Sequence, residues 1–447
     1  MRTNSTRSLP SVGTRATMRG TVRYRMHTLK NGLRAVLIPL AGTKTATVMV
    51  MAGTGSRYET EKENGLAHFL EHMFFKGTAK RPSARAISEE LDSVGASYNA
   101  FTAKERTAYY AKVSSQYFDT ALDVISDIFL NSTLPSREIT KERGAIVQEI
   151  GMYEDMPMRK INDVFDELFF GSDHPLGRPI IGTRENVLRF TRAQFESYMR
   201  GHYTPQNTVV CVAGSFDEAR VLRNIARNFG RLKKREPHLH AASDPTPPAG
   251  PRVRIKEKHT DQTQLMLGVP AYPYGHTDEY ALEVLSAILG SGMSSRLFLE
   301  VRERRGLAYF VRGWTDKYPD VGYFVVQAGV EHAKLEKAVQ TILGELRKIK
   351  RTDVPHSELK KVKAHMRGTL TLSLETTDAV AEHAATSLIH FGRVRPLSEI
   401  LAGIDAVTVS DVRRVAKDVF HTGALNLAVI GPHTGTSAVA LKGLLRL

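Results

Sequence analysis

Apolar and β-branched residues recur at residues 33–39 and again at 45–52, between glycine and lysine punctuation, which predicts two β-strands. The spacing then lengthens. Residues 64–76, 84–95, 117–130 and 136–155 repeat their apolar positions with helical period. A further apolar run at 208–213 predicts a buried strand. The pattern stops after Lys233-Lys234-Arg235, in a Pro-, His- and Ala-rich run that contains Pro245, Pro247 and Pro248. Such a run cannot form a core, so 234–252 is expected to be a linker.

Beyond the linker the pattern begins again. The segment from Tyr280 to Gly292 can be laid on the segment from Gly65 to Gly77 at an offset of 215. The apolar run from Leu425 to Gly431 matches that ending at Gly214 at an offset of 217. Two matches at nearly one offset imply two similar halves. The expected fold class is α+β: two tandem domains, 24–233 and 253–447, each a mixed β-sheet with helices packed on one face.

At 447 residues the chain exceeds what a single core usually supports, in agreement with two domains. No apolar stretch is long enough to read as a membrane span, and the N-terminus lacks the apolar region of a secretory signal. Cys211 is the only cysteine, which excludes an internal disulfide and a cysteine-built zinc cluster; its apolar setting predicts an inert core residue. The net charge is +15, but residues 1–58 hold ten Lys/Arg and no Asp or Glu. Without that segment the body is near balance, so the charge does not argue for nucleic-acid binding. The leader 1–23, rich in Arg, Ser and Thr, reads as an organellar-type transit segment, as a disordered basic leader, or as sequence upstream of a start at Met18.

The chemistry concentrates in one helix. Leu66, Phe69, Leu70, Met73 and Phe74 recur at helical spacing and give it a face to bury. His68 and His72 are four apart, so both imidazoles leave one ridge and can grip one ion. Glu71 lies on the same side but off that axis, where a carboxylate serves as a general base. A catalytic zinc usually takes a third protein ligand. The helix starting at Ser136 offers Glu142 and Glu149, seven apart on one face, with 76 residues between His72 and Glu149. In the second half Glu283, Ser286 and Ala287 stand where the first has His68, Glu71 and His72, so only the first half can hold a metal.

An inverted His-x-x-Glu-His followed after some 75 residues by a glutamate resembles the insulinase-like (pitrilysin, inverzincin) zinc metallopeptidases. The likeness spans nearly the whole chain. It includes Asn99-Ala100-Phe101-Thr102, the run from Glu105 to Tyr110, His174-Pro175-Leu176-Gly177 with Ile181-Gly182, and the run from Arg302 to Tyr309. Within the family it is most similar to the β subunits of mitochondrial processing peptidase and their bacterial counterparts. The resemblance implies one zinc ion per chain on His68, His72 and Glu149, Glu71 as the base, and Glu142 orienting a ligand histidine. It implies that Asn99 to Thr102 form the edge strand on which an extended substrate is laid. Arg302 and Tyr309 would reach the active site from the opposite half and contact substrate backbone or the developing oxyanion.

The implied activity is metalloendopeptidase cleavage of unfolded peptides or presequence-like segments. Family members enclose substrate in a clam-shell chamber of two domain pairs. With one pair per chain, a homodimer is the expected assembly and a heterodimer the alternative. Processing peptidases read an arginine through two acids, and the matching positions here are Arg159 and Asp163. The first has the opposite sign, which favours a broader oligopeptidase, although Glu154, Asp155 or Asp163 could still face a basic peptide. Two rivals stand beside this reading: a non-catalytic partner subunit of the same fold, and a zinc hydrolase acting on something other than peptides. Manganese or cobalt would also suit the ligand set. The expected compartment is a bacterial cytoplasm, or a mitochondrial matrix if the leader is a transit segment.

Overall fold

A computed structural model describes residues 23–238 and 250–447. The leader up to residue 22 and linker residues 239–249 lie outside the described residues. The first sheet is built from β1 (Arg25–Thr28), β2 (Arg34–Pro39), β3 (Thr45–Ala52), β4 (Ser97–Thr102), β5 (Thr107–Ser114) and β6 (Thr208–Gly214). The second contains β7 (Arg252–Glu257), β8 (Thr263–Ala271), β9 (Ala308–Lys317), β10 (Gly322–Val330) and β11 (Asn426–Gly431).

Their spatial orders are β1-β2-β6-β3-β5-β4 and β7-β11-β8-β10-β9. Without β1 the two sheets match strand for strand. In each, one parallel pair (β2 with β6, β7 with β11) is followed by antiparallel pairs. The repeat read from two short sequence matches is therefore a repeat of topology.

The four expected helices of the first half are present, as Leu66–Phe74, Ala84–Asp92, Phe118–Asn131 and Ser136–Glu154. Each half packs its own helices on one face of its sheet. The opposite faces are also covered, by an exchange. The Thr377–Phe391 helix lays Ala381, Ala384, Ala385 and Leu388 on Val36, Met49, Val209 and Cys211 of the first sheet. The Pro157–Phe170 helix lays Ile161, Phe165 and Phe169 on Met266, Tyr323, Val325 and Ala428 of the second. The strands explain why. Every residue of β6 is buried, as are seven of eight in β3, so both faces of the sheet's centre need a cover. Cys211 sits under this exchanged helix, buried, with its thiol pushed up by desolvation.

Polar groups mark the seam between the halves. Arg57 donates to Glu105 at 2.8 Å, both buried, and also pairs with Asp320 of the second half. Lys104 lies 3.3 Å from Asp166 on the exchanged Pro157–Phe170 helix.

Candidate metal centre

The Leu66–Phe74 helix buries Leu66, Ala67, Phe69, Leu70, Met73 and Phe74, leaving His68, Glu71 and His72 on its other side. Its start is fixed by backbone contact and by a buried acid. Gly65 has φ +100°, and a Cβ there would come within 2.7 Å of the Ile181 carbonyl oxygen and 2.8 Å of Gly182 Cα. Only glycine meets both demands. The buried Glu59 carboxylate accepts hydrogen bonds from the Gly65 and Ala67 amides at 2.9 and 2.6 Å, satisfying donors that the helix leaves free. Burial pushes that carboxyl up to about 8, opposed by these amides.

On the far side, one donor atom each from His68, His72 and Glu149 lies within 4.8 Å of the others. Glu149 Oε1 is 3.8 Å from His68 Nε2, and its Oε2 is 3.6 Å from His72 Nε2. Glu149 and Glu142 come from one face of the Ser136–Glu154 helix, as their spacing implied. Glu142 binds His72 Nδ1 at 2.9 Å and accepts from Lys76 Nζ at 2.7 Å. This leaves His72 Nε2 facing the cluster.

The electrostatics suit ligation. Burial, with the neighbouring His72, drives His68 down to about 3, so the ring is neutral near pH 7. Burial would also lower His72, but the Glu142 hydrogen bond and the charge of Glu149 outweigh it and its pKa rises. Burial opposes the ionised form of Glu142, yet the bonds to His72 and Lys76 hold it down to about 2. Burial raises Glu71, and the hydroxyl of Thr102 restrains that rise by donating to its Oε2 at 2.6 Å.

His68, Glu71, His72 and Glu149 line one wall of a cavity of about 420 Å³. Ala100, Phe101 and Thr102 line another wall. They belong to β4, which pairs only with β5 and so is an edge strand. Asn99 does not line the cavity; it is exposed, and its Oδ1 accepts from the Ala100 amide at 2.9 Å. Arg159 and Asp163 are both in the lining, whereas Glu154 is tied to Lys160 at 2.6 Å and Lys256 at 2.5 Å. Asp155 lies 3.3 Å from Lys258.

Arg302 and Tyr309 are together but elsewhere. The Arg302 guanidinium lies 5.1 Å over the Tyr309 ring, which is 75% exposed, and neither residue lines the metal cavity. Sequence reading missed Glu59, Lys76 and the hydroxyl role of Thr102. Lys76, one turn beyond His72, carried a usable signal; the partners of Glu59 and Thr102 depend on how β4 and the preceding loop fold back.

The three donors fit a zinc ion: two imidazole nitrogens and one carboxylate, gathered at a cavity wall, are a catalytic-type set. One feature is unusual for such a site, since His68 Nδ1 is buried without a hydrogen-bond partner among the described residues.

The family model of "Insulinase (Peptidase family M16)" matches residues 34–184, and that of "Peptidase M16 inactive domain" matches 189–366. An uncharacterized zinc protease of Bacillus subtilis is 37% identical over 406 residues, covering 91% of this chain and 98% of the relative. One from Streptomyces coelicolor is 39% identical over 418 residues, covering 92% and 90%. Among solved structures, a protease from Helicobacter pylori is similar with TM-score 0.84 and 25% identity, covering 92% of this chain and all of that one. A peptidase M16 inactive domain from Pseudomonas fluorescens shares the fold, with TM-score 0.81 at 18% identity over 92% of this chain and 98% of its own. Domain models matching in tandem, and relatives matching over nine-tenths of the chain, give one conclusion: the chain belongs to the insulinase family of peptidases, M16.

Proposed function

We propose that the chain is a zinc metalloendopeptidase that cleaves extended peptides laid along β4. The observation that carries this is the convergence of His68, His72 and Glu149 on one point, with Glu71 beside them and bonded to the edge strand through Thr102. His68, His72 and Glu149 would hold one zinc ion. When bound, zinc polarises the scissile carbonyl and acidifies a water. Glu71 accepts the proton of the attacking water and delivers it to the leaving amine. Its burial and its Thr102 bond fix one carboxylate oxygen and leave the other for this transfer. Glu142 orients His72. The backbone of Ala100 to Thr102 aligns the peptide by strand addition.

Arg302 and Tyr309 support a homodimer. They form a pair on the second half, Tyr309 exposed and Arg302 half-buried, and do not line this chain's own cavity, so in this reading a second copy brings them over the metal site and closes a chamber. The relatives named above are bacterial, which favours the bacterial-type compartment over an organellar one. Among the described residues no helix is long and apolar enough to cross a membrane. A non-catalytic partner subunit would have no need of an intact base and three intact ligands.

The test is incubation of the zinc-loaded chain with a mixed peptide library, read by mass spectrometry beside size-exclusion chromatography. The reading expects chelator-sensitive internal cleavage by a species of twice the chain mass. Chelator-resistant cleavage, or none, contradicts it.

A further inference from the structure

Three cations line the metal cavity: Lys104, Arg159 and Lys160. Two are neutralised. Lys104 Nζ lies 3.3 Å from Asp166 and donates to the carbonyls of Leu176 and Arg178 at 2.9 and 2.7 Å. Lys160 Nζ lies 2.6 Å from Glu154 and 3.2 Å from Asp163. Arg159 has no carboxylate partner among the described residues. It is exposed, in the first turn of the Pro157–Phe170 helix, with its guanidinium 5.6 Å over the ring of Tyr153.

Tyr153 stands one helical turn beyond Glu149 and lines the same cavity. The guanidinium is thus one side chain removed from a metal donor. Packing over that ring limits its freedom and leaves the fork's donors for a ligand. The remaining acids in the lining are already committed: Asp163 to Lys160, Asp166 to Lys104, Glu149 to the metal cluster and Glu71 to Thr102.

We propose that Arg159 is a specificity residue, which binds a carboxylate of the peptide in the subsite next to the scissile bond. The inference rests on the proposed peptidase reading and names its substrate class: peptides with Asp or Glu close to the cleaved bond, or with a free terminal carboxylate there. A planar carboxylate takes the guanidinium by two parallel hydrogen bonds, which neither a carboxamide nor a lysine can reproduce.

The experiment uses full-length, zinc-loaded protein and matched fluorogenic peptides that carry Glu, Gln or Lys at each position flanking the cleaved bond, with free or amidated C-termini. Glu peptides should be cleaved with kcat/KM about ten- to a hundredfold above Gln peptides, and Lys peptides should be worst. Arg159→Glu should invert the order of Glu and Lys, and Arg159→Gln should flatten it. A preference that follows the side chain identifies an internal acidic residue as the ligand. A preference that follows the free terminus identifies the terminal carboxylate. The same peptides bound to the Glu71→Gln variant, read by anisotropy, should rank alike, which gives a readout independent of turnover. If wild-type protein cleaves all peptides without charge preference, or Arg159→Glu keeps the wild-type order in both assays, the inference fails and the peptidase reading stands. If no peptide is cleaved but the anisotropy ranking holds, the peptidase reading fails and the carboxylate site stands.

Discussion

The two halves place the same cavity against the same strand and use it in opposite ways. In the first, about 420 Å³ lies between the Leu66–Phe74 helix, the edge strand β4 and the Ser136–Glu154 helix. In the second, about 430 Å³ lies between the Glu279–Gly290 helix, the edge strand β9 and the His356–Ser373 helix. The first cavity gathers two histidines and a glutamate. The second has Ser286, Ala287 and Thr369 in its lining, and Glu283 accepts from Thr315 at 2.8 Å and pairs with Lys317. Lys317 also lies 3.0 Å from Glu279, which is in turn 3.2 Å from Arg395. The fold supplies a cavity twice. A few side chains decide whether it becomes a metal site or a closed ionic cluster.

That contrast can be broken most strongly at the ligands. His68→Ala, His72→Ala or Glu149→Gln should remove the metal and lower peptide cleavage by roughly a thousandfold or more, with the circular dichroism spectrum unchanged. The counterpart change, Lys317→Met, should do the reverse. It leaves Glu283 without its cation and Glu279 with Arg395 alone, and should lower stability by about 1–3 kcal/mol in urea unfolding, with zinc content unchanged. Glu142→Gln lies between these: His72 loses its charged anchor, so zinc affinity measured by competition with a chelator should fall about 10- to 100-fold.

The most gradual effect concerns pH. His68 has its folded pKa lowered from 6.5 to about 3, so the unfolded chain binds the proton more readily in that interval. Stability of the metal-free protein should therefore fall as pH drops from 6.5 toward 3, by about 1.4 kcal/mol per unit from this group. Unfolding midpoints across that interval check it, and His68→Asn should lose that part of the slope.

Much of this comparison was legible in the chain because it rests on local periodicity. His68, Glu71 and His72 sit in one helix, and Glu142 and Glu149 in another, so spacing alone put them on common faces. The empty second copy was legible for the same reason. The exchanged helices were not. Residues 157–170 and 377–391 were assigned to no element, and nothing local says that the surface these helices cover belongs to the other half. Continuous burial along β3 and β6 was the available hint of a two-sided sheet. Glu59 and Thr102 were hidden because their partners are fixed by loop return and strand pairing. Arg302 and Tyr309 were placed by family resemblance alone, and they do not line this chain's own metal cavity.

The central claim is that the first cavity binds one zinc and that Glu71 moves the proton. The most direct measurement pairs zinc content by atomic spectroscopy with peptide cleavage, in wild type and Glu71→Gln. One zinc per chain in both proteins, with turnover lost in Glu71→Gln, is the expected result. Cleavage by Glu71→Gln at the wild-type rate, or a wild-type chain that takes up no zinc, would contradict the account.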